Sequence, residues 1–269
     1  MPAQRFDRSC PSLRRGTSAD LWLNGASGCF RLGARDKVNR MRPNPRWFAV
    51  AATACLVTGC GRIPTSPSAV QSSSPAPSGA TTTCEFVETG TAARPVRLPS
   101  PTGVETSGTV TYLLEMTNGP VRLTLDRVKA PCTVHSFESL ADQGFFTRTR
   151  CPRLVDKTIF ILQCGDPTGT GTGGPGYTFA DETDGTEAYV SGVVAMASSG
   201  PNTNGSQFFL VWDDSSSLDE TAGATIFGRM DATSRDVVAS MAEEGQDGSH
   251  PRGGGKPNNP SEILSVVRE

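Results

Sequence analysis

The sequence predicts a mainly β domain over residues 107–269, a closed antiparallel barrel capped by two α-helices. Short runs rich in Val, Ile, Thr and aromatic residues recur throughout this stretch, bounded by Gly, Pro, Asn and Asp. Only two segments carry the 3.6-residue apolar spacing of a helix. Neighbouring runs are joined by tight turn signals, as antiparallel pairing requires.

TVTYLLEM (109–116) and PVRLTLD (120–126) read as the first two strands, joined through Asn118-Gly119, a strong hairpin dipeptide. APCTVHSFESLADQGFF (130–146) then places Val134, Phe137 and Leu140 on one helical face, with Gly144 as the stop. KTIFILQCG (157–165) is too short and too β-branched for a helix and reads as a buried strand. Further strands are expected at SGVVAMA, SQFFLVW, ATIFGRM and EILSVV. TSRDVVASMAEEG (233–245) is the second helix, with a Thr233…Asp236 capping box and Gly245 at its end.

The chain ahead of this domain has a different character. Arg42 and Arg46 precede an apolar run from Trp47 to Val57, and Gly59 is the small residue before Cys60. That is the pattern of a secretory signal over 41–59, since the apolar run falls short of the roughly 20 residues a bilayer span needs. Leu56-Val57-Thr58-Gly59-Cys60 resembles a bacterial lipobox, which implies a lipidated Cys60 as the mature N-terminus and an exported protein anchored on the outer face of the cell membrane. Residues 1–40 are then expected to be an over-extended gene model with Met41 as the start; a tryptic peptide from 1–40 in the native proteome would refute this. Residues 60–82 are dominated by Pro, Ser, Ala and Thr and read as a flexible tether. Residues 83–106 form an N-terminal arm that Cys84 could pin to the domain.

Charge and cysteines exclude several functions. Residues 1–59 carry ten Lys+Arg and three Asp+Glu, so removing them from 25 and 27 leaves 15 against 24, near −9. Such a balance is a poor match for a phosphate backbone, and no nucleic-acid partner is expected. Cys84, Cys132, Cys151 and Cys164 are an even set in an exported chain and read as two disulfides, with three pairings open. No metal is expected, because there is no CxxC pair and the only histidines are His135 and His250. GDPTGTGTGGPG (165–176) lacks the lysine of a phosphate-binding loop and opens no helix, so it reads as a tight excursion over a neighbouring pocket. Asp181, Glu182 and Asp184 read as a solvated loop face.

GPNTNGSQFF (200–209), with Met196-Ala197 ahead of it, closely resembles the signature of the cyclophilin-type peptidyl-prolyl isomerases, as does IFILQCGDPTGTGTGGPGYTFADE (159–182). The resemblance covers about 107–269 and is nearest to exported lipoprotein cyclophilins of high-GC Gram-positive bacteria. It implies an eight-stranded barrel and cis-trans isomerisation of X-Pro bonds in exported or envelope proteins, by a monomer needing no cofactor. Carried over by motif, Arg153 would be catalytic, with Gln163 beside it. Phe160, Ile161, Phe209 and Leu218 would line the proline pocket, Gln207 would hold the substrate backbone with Gln163, and the backbone of Ala197 and Ser198 would pair with the bound peptide. The chain departs from the family where Phe-His-Arg is usual and it has Cys151-Pro152-Arg153. It also has Ser198 for a common asparagine, Ser217 for an aromatic and Ala224 near a usual histidine. One side of the pocket is thinner, which implies weak binding of cyclosporin-type ligands. A module that binds proline-containing peptides without turnover is the alternative reading. If Arg153 and Gln163 share a face, strand alternation sets Cys151 and Cys164 on opposite faces and argues against their pairing with each other, unless a bulge resets the register.

Overall fold

The computed structural model describes residues 79–219 and 223–269; the segments expected at 1–40 and 41–59, most of the tether and Cys60 lie outside the described residues. The arm contributes β1 (Thr81–Thr82), β2 (Val87–Glu88) and β3 (Val104–Glu105). β1 pairs with β3 through Thr81↔Glu105, so ordered pairing begins just before the compositional boundary at residue 83.

The domain proper follows with β4 (Thr109–Met116), β5 (Gly119–Asp126), α1 (Pro131–Asp142), β6 (Thr149–Arg150), β7 (Arg153–Lys157), β8 (Ile159–Cys164) and β9 (Tyr177–Thr178). Next come β10 (Val193–Met196), β11 (Phe208–Val211), a 3₁₀ turn (Ser216–Leu218), β12 (Ile226–Met230), α2 (Ala232–Ala242) and β13 (Glu262–Arg268). Nine strands form one sheet in the order β6-β13-β4-β5-β12-β10-β11-β8-β7. Every pairing in it is antiparallel.

The expectation of a mainly β domain with two helices holds, but the sheet is a curled nine-stranded one and not the eight-stranded ring. Its two end strands, β6 and β7, are separated in the chain only by Cys151-Pro152, so the sheet must curl until its edges come within the reach of two residues. The β4–β5 hairpin turns through Thr117 and Asn118, with Met116 paired to Gly119, one position earlier than the Asn-Gly reading.

Alternation along the strands sorts the side chains. Val110, Tyr112, Leu114 and Met116 of β4 meet Val121, Leu123 and Leu125 of β5 in the main core. α1 closes that core with Val134, Phe137 and Leu140, and Phe137 stacks on Phe146 at 5.0 Å. Pro131 opens α1, where its missing N–H costs nothing. The Glu182 carboxylate accepts from the backbone N–H groups of Cys132 (2.9 Å) and Thr133 (2.8 Å), so this carboxylate is a helix cap, not part of a solvated face. α2 is capped two residues earlier than the sequence suggested: the Asp231 carboxylate accepts from Ser234 N–H at 2.7 Å.

Both disulfides form, Cys84–Cys132 and Cys151–Cys164. The second corrects the alternation argument. β7 begins only at Arg153, and Cys151-Pro152 is the irregular link between the sheet's two edges, so alternation does not extend back to Cys151. Cys151 therefore turns into the main core, where Cys164 also points.

Candidate active site

A second, smaller apolar cluster forms on the opposite face of β7, β8, β10, β11 and the start of β12, from Val155, Ile161, Val193, Ala195, Phe209, Val211 and Ile226. It floors an open cleft of about 290 Å³. Eight of the residues expected at the site line this cleft: Arg153, Ile161, Gln163, Ala197, Ser198, Gln207, Phe209 and Leu218. They come from separate parts of the chain, and the register explains the convergence. Arg153 pairs with Gln163 across β7–β8, and Gln163 pairs with Phe209 across β8–β11.

Phe160 is a correction. On β8 the residues facing the cleft are Ile159, Ile161 and Gln163, and alternation turns Phe160 the other way. Its ring packs edge-on against Trp212 at 5.0 Å. Phe160 and Ile161 are adjacent on one strand and cannot share a face; Ile159 takes the place assigned to Phe160.

The apolar wall is fixed from behind. Tyr189, fully buried, stands 6.1 Å from Phe209. Its hydroxyl donates to Ala224 O (2.8 Å) and accepts from Ala224 N–H (2.7 Å), which holds Ala224 in the cleft wall. Burial, opposed by the Ala224 bond and aided slightly by nearby carboxylates, pushes the Tyr189 hydroxyl up to about 12. Ser217 Oγ donates to Thr158 O at 3.0 Å and ties the 3₁₀ turn that carries Leu218 to the β7–β8 hairpin.

The polar wall is a line of hydrogen bonds. Arg153 Nη1 donates to Gln163 Oε1 (3.4 Å), Gln163 Nε2 to Gln207 Oε1 (2.7 Å), and Gln207 Nε2 to Gly173 O (2.9 Å). From the other side, Arg153 Nε donates to Gly253 O (3.1 Å) and Nη2 to Arg252 O (3.2 Å). Among the described residues this engages three of the guanidinium's five N–H donors and leaves two for a ligand. Burial and the neighbouring Arg252 pull the Arg153 guanidinium below its ordinary value, though an arginine stays charged at any physiological pH. Ala197 N–H donates to Gln207 O at 2.9 Å, so a peptide pairing there must use the Ala197 carbonyl.

The glycine loop is built around one carboxylate. Asp166, buried, accepts from the N–H groups of Thr168 (2.7 Å), Gly171 (2.7 Å) and Gly173 (3.0 Å), and from the Thr168 hydroxyl. Burial opposes its ionisation, but these hydrogen bonds outweigh it and hold the carboxyl below the usual range. A Cβ at Gly173 would collide with the Asp166 carboxylate, so only glycine fits where the loop presents its carbonyl to Gln207. The expectation of a tight excursion beside a pocket therefore holds: Gly171 lines the cleft.

Sequence reasoning missed Tyr189 behind Ala224 and, in the cleft lining, Ile159, Met196, Ser199 and Arg252. The only signal for the last was Gly253-Gly254-Gly255 after it. Gly254 has φ +74° and a Cβ there would strike Leu154 O, which lets the 252–255 loop lie against β7 and reach Arg153.

The comparisons agree with this geometry. The family model described as cyclophilin type peptidyl-prolyl cis-trans isomerase/CLD matches residues 111–268. A probable peptidyl-prolyl cis-trans isomerase B of Mycobacterium leprae is 42% identical over 168 residues, covering 57% of this chain and 56% of its own. Peptidyl-prolyl cis-trans isomerase B of Bacillus subtilis is 40% identical over 120 residues, covering 44% of this chain and 80% of its own. The chain thus spans a little over half the length of its Mycobacterium leprae relative. A crystal structure of a cyclophilin type peptidyl-prolyl cis-trans isomerase of Cryptosporidium parvum superposes with a TM-score of 0.52 at 31% identity, over 60% of this chain and 98% of that one. Another structure of that protein, determined in the presence of the dipeptide Ala-Pro, gives a TM-score of 0.50 over 59% of this chain and 98% of that one. With an arginine set above an apolar cleft, the sequence signatures on the strands around it, and a family match over more than half its length, this chain belongs to the cyclophilin-type peptidyl-prolyl cis-trans isomerase family.

Proposed function

We propose that the protein is a peptidyl-prolyl cis-trans isomerase acting on X-Pro bonds of exported or envelope polypeptides. The observation that carries this reading is Arg153, fixed over an apolar cleft with donors to spare. Resonance holds the imide planar behind a barrier of about 18–20 kcal/mol. The ring of proline fits against Phe209, Ile161 and Leu218, while Arg153 donates to the imide nitrogen as it becomes pyramidal. A lone pair localised on nitrogen no longer conjugates with the carbonyl, so this bond strengthens only as the peptide twists. Gln163 orients the guanidinium and, with Gln207 and the Ala197 and Ser198 backbone, holds the substrate chain. The Ala-Pro dipeptide used with the Cryptosporidium parvum relative supports a proline-containing ligand. Two disulfides in a small domain support an oxidising compartment, in keeping with export and a lipid anchor at Cys60. The link at Cys151-Pro152 supports closure of the curled sheet into a barrel.

The test is cis/trans exchange of a short X-Pro peptide, measured by NMR with the oxidised protein and with Arg153→Ala. Acceleration by the wild type that falls about 10²- to 10³-fold in the variant is the expected result. A folded wild type that binds the peptide without accelerating exchange would leave a binding module; acceleration that survives the substitution would remove Arg153 from the chemistry.

A further inference from the structure

A second cleft, of about 220 Å³, continues from the first and shares Ala197, Ser199 and Gln207 with it. Part of its lining comes from outside the family match at 111–268: Thr89, Gly90 and Thr91 belong to the arm, and they line this cleft together with Thr172 and Gly173 of the glycine loop.

The arm is built into the domain and does not merely lie on it. β2 pairs with β9 through Val87↔Thr178 and Glu88↔Tyr177. Thr89 N–H donates to Gly176 O (2.9 Å) and Ala93 N–H to Gly174 O (2.8 Å). A Cβ at Gly176 would come within 2.9 Å of Gly90 O, so the two backbones touch where only glycine fits. Arg94 Nη1 donates to the carbonyls of Gly144, Phe145 and Thr147, each at 2.7 Å, and Cys84–Cys132 ties the arm to α1. The glycine loop thus sits between the arm and Gln207.

We propose that this arm is a working part of the substrate site, with Thr89–Thr91 selecting a residue that flanks the X-Pro bond. The inference rests on the isomerase reading of the first cleft. The second cleft is lined by hydroxyls and backbone, including Thr91, Thr172 and Ser199, and by no charged side chain. It therefore favours an uncharged side chain that can hydrogen-bond, such as Ser, Thr, Asn or Gln. A charged one loses water there without gaining a partner.

The experiment uses peptides in which Glu, Lys or Ser replaces Ala at each of three positions on either side of the proline, assayed by NMR for binding and for exchange. At one or two adjacent positions the wild type should prefer Ser to Glu and Lys by about three- to tenfold. Thr91 is exposed at the rim, so charge there is tolerated by the fold. Thr91→Glu should raise the Lys-to-Glu ratio about two- to fivefold at those same positions, Thr91→Lys should lower it by as much, and both shifts should shrink in salt. Ratios that stay flat at every position in both variants would overturn the inference, whatever the turnover. A ratio that swaps in binding without any acceleration of exchange would uphold the arm's role and refute the isomerase reading instead.

Discussion

The two walls of the main cleft are made in different ways. The apolar wall comes from regular strands: Val155, Ile161, Ala195 and Phe209 reach it because alternate residues of paired strands share a face. The polar wall stands on strands too, with Arg153 on β7 and Gln163 on β8, but irregular backbone aims it: Arg153 is held by carbonyls of the 252–253 loop, and Gln207 by a carbonyl of the glycine loop. A pocket for a ring tolerates generic packing, whereas a hydrogen bond to a pyramidal nitrogen requires an aimed donor. The chemistry therefore depends on the less regular half, and the strongest tests are those that disturb one wall and spare the other.

The largest effect is expected from the disulfide behind the polar wall. Cys151 is two residues from Arg153 and Cys164 is next to Gln163, and the bridge spans a separation of 13 residues. Replacing both with Ala should cost about 3 kcal/mol by loop-closure entropy, measured by denaturant unfolding. Exchange activity under conditions where the variant is still folded should fall further than peptide binding does. Equal losses of both would mean that the bridge serves the whole cleft and not one wall.

Arg153→Lys comes next. It keeps the charge but removes the planar fork that reaches Gly253 O, Arg252 O and Gln163 Oε1 together. Turnover should fall about 10²-fold with little change in binding, read as the split between kcat and KM. Near-normal turnover would show that charge alone suffices and that the loop-built aim is unnecessary.

The same contrast decides what could be read from the sequence. The family resemblance carried by the two long motifs implied Gln163, Gln207, Phe209 and Leu218 at the site, and each lines the cleft on or beside a regular element. The motif match put both Phe160 and Ile161 in the pocket, although strand alternation counted back from Gln163 selects Ile161 and Ile159 and turns Phe160 away. The Cys151–Cys164 bridge was misjudged for a related reason: alternation was extended across a proline at which the strand had not yet begun. Arg252 and the arm's Thr89–Thr91 reach their clefts only through loop packing, which leaves no periodic trace.

Asp166 links the glycine loop to the polar wall, and Asp166→Asn should cost about 2 kcal/mol by turning an amide N–H₂ toward backbone donors. Because the folded carboxyl titrates below its unfolded value near 3.9, its contribution is complete above that pH and is lost as pH falls through the lower folded value. The stability gap between wild type and variant should accordingly close in acid, as followed by thermal unfolding between pH 7 and pH 2. A gap that persists unchanged at pH 2 would mean that the loop needs the shape of the side chain and not its charge.

The smallest effect sharpens the comparison from the apolar side. Phe160 lies one residue from Ile161 yet packs on Trp212 behind the strand. Phe160→Ala should lower stability by about 1–2 kcal/mol, less than a fully buried phenylalanine because its ring is only partly covered. Ile161→Ala should instead weaken binding of a proline-containing peptide, with catalysis falling in step. If Phe160→Ala weakened binding as much as Ile161→Ala, the strand's register would be no guide to the cleft, and the apolar wall would be as irregular as the polar one.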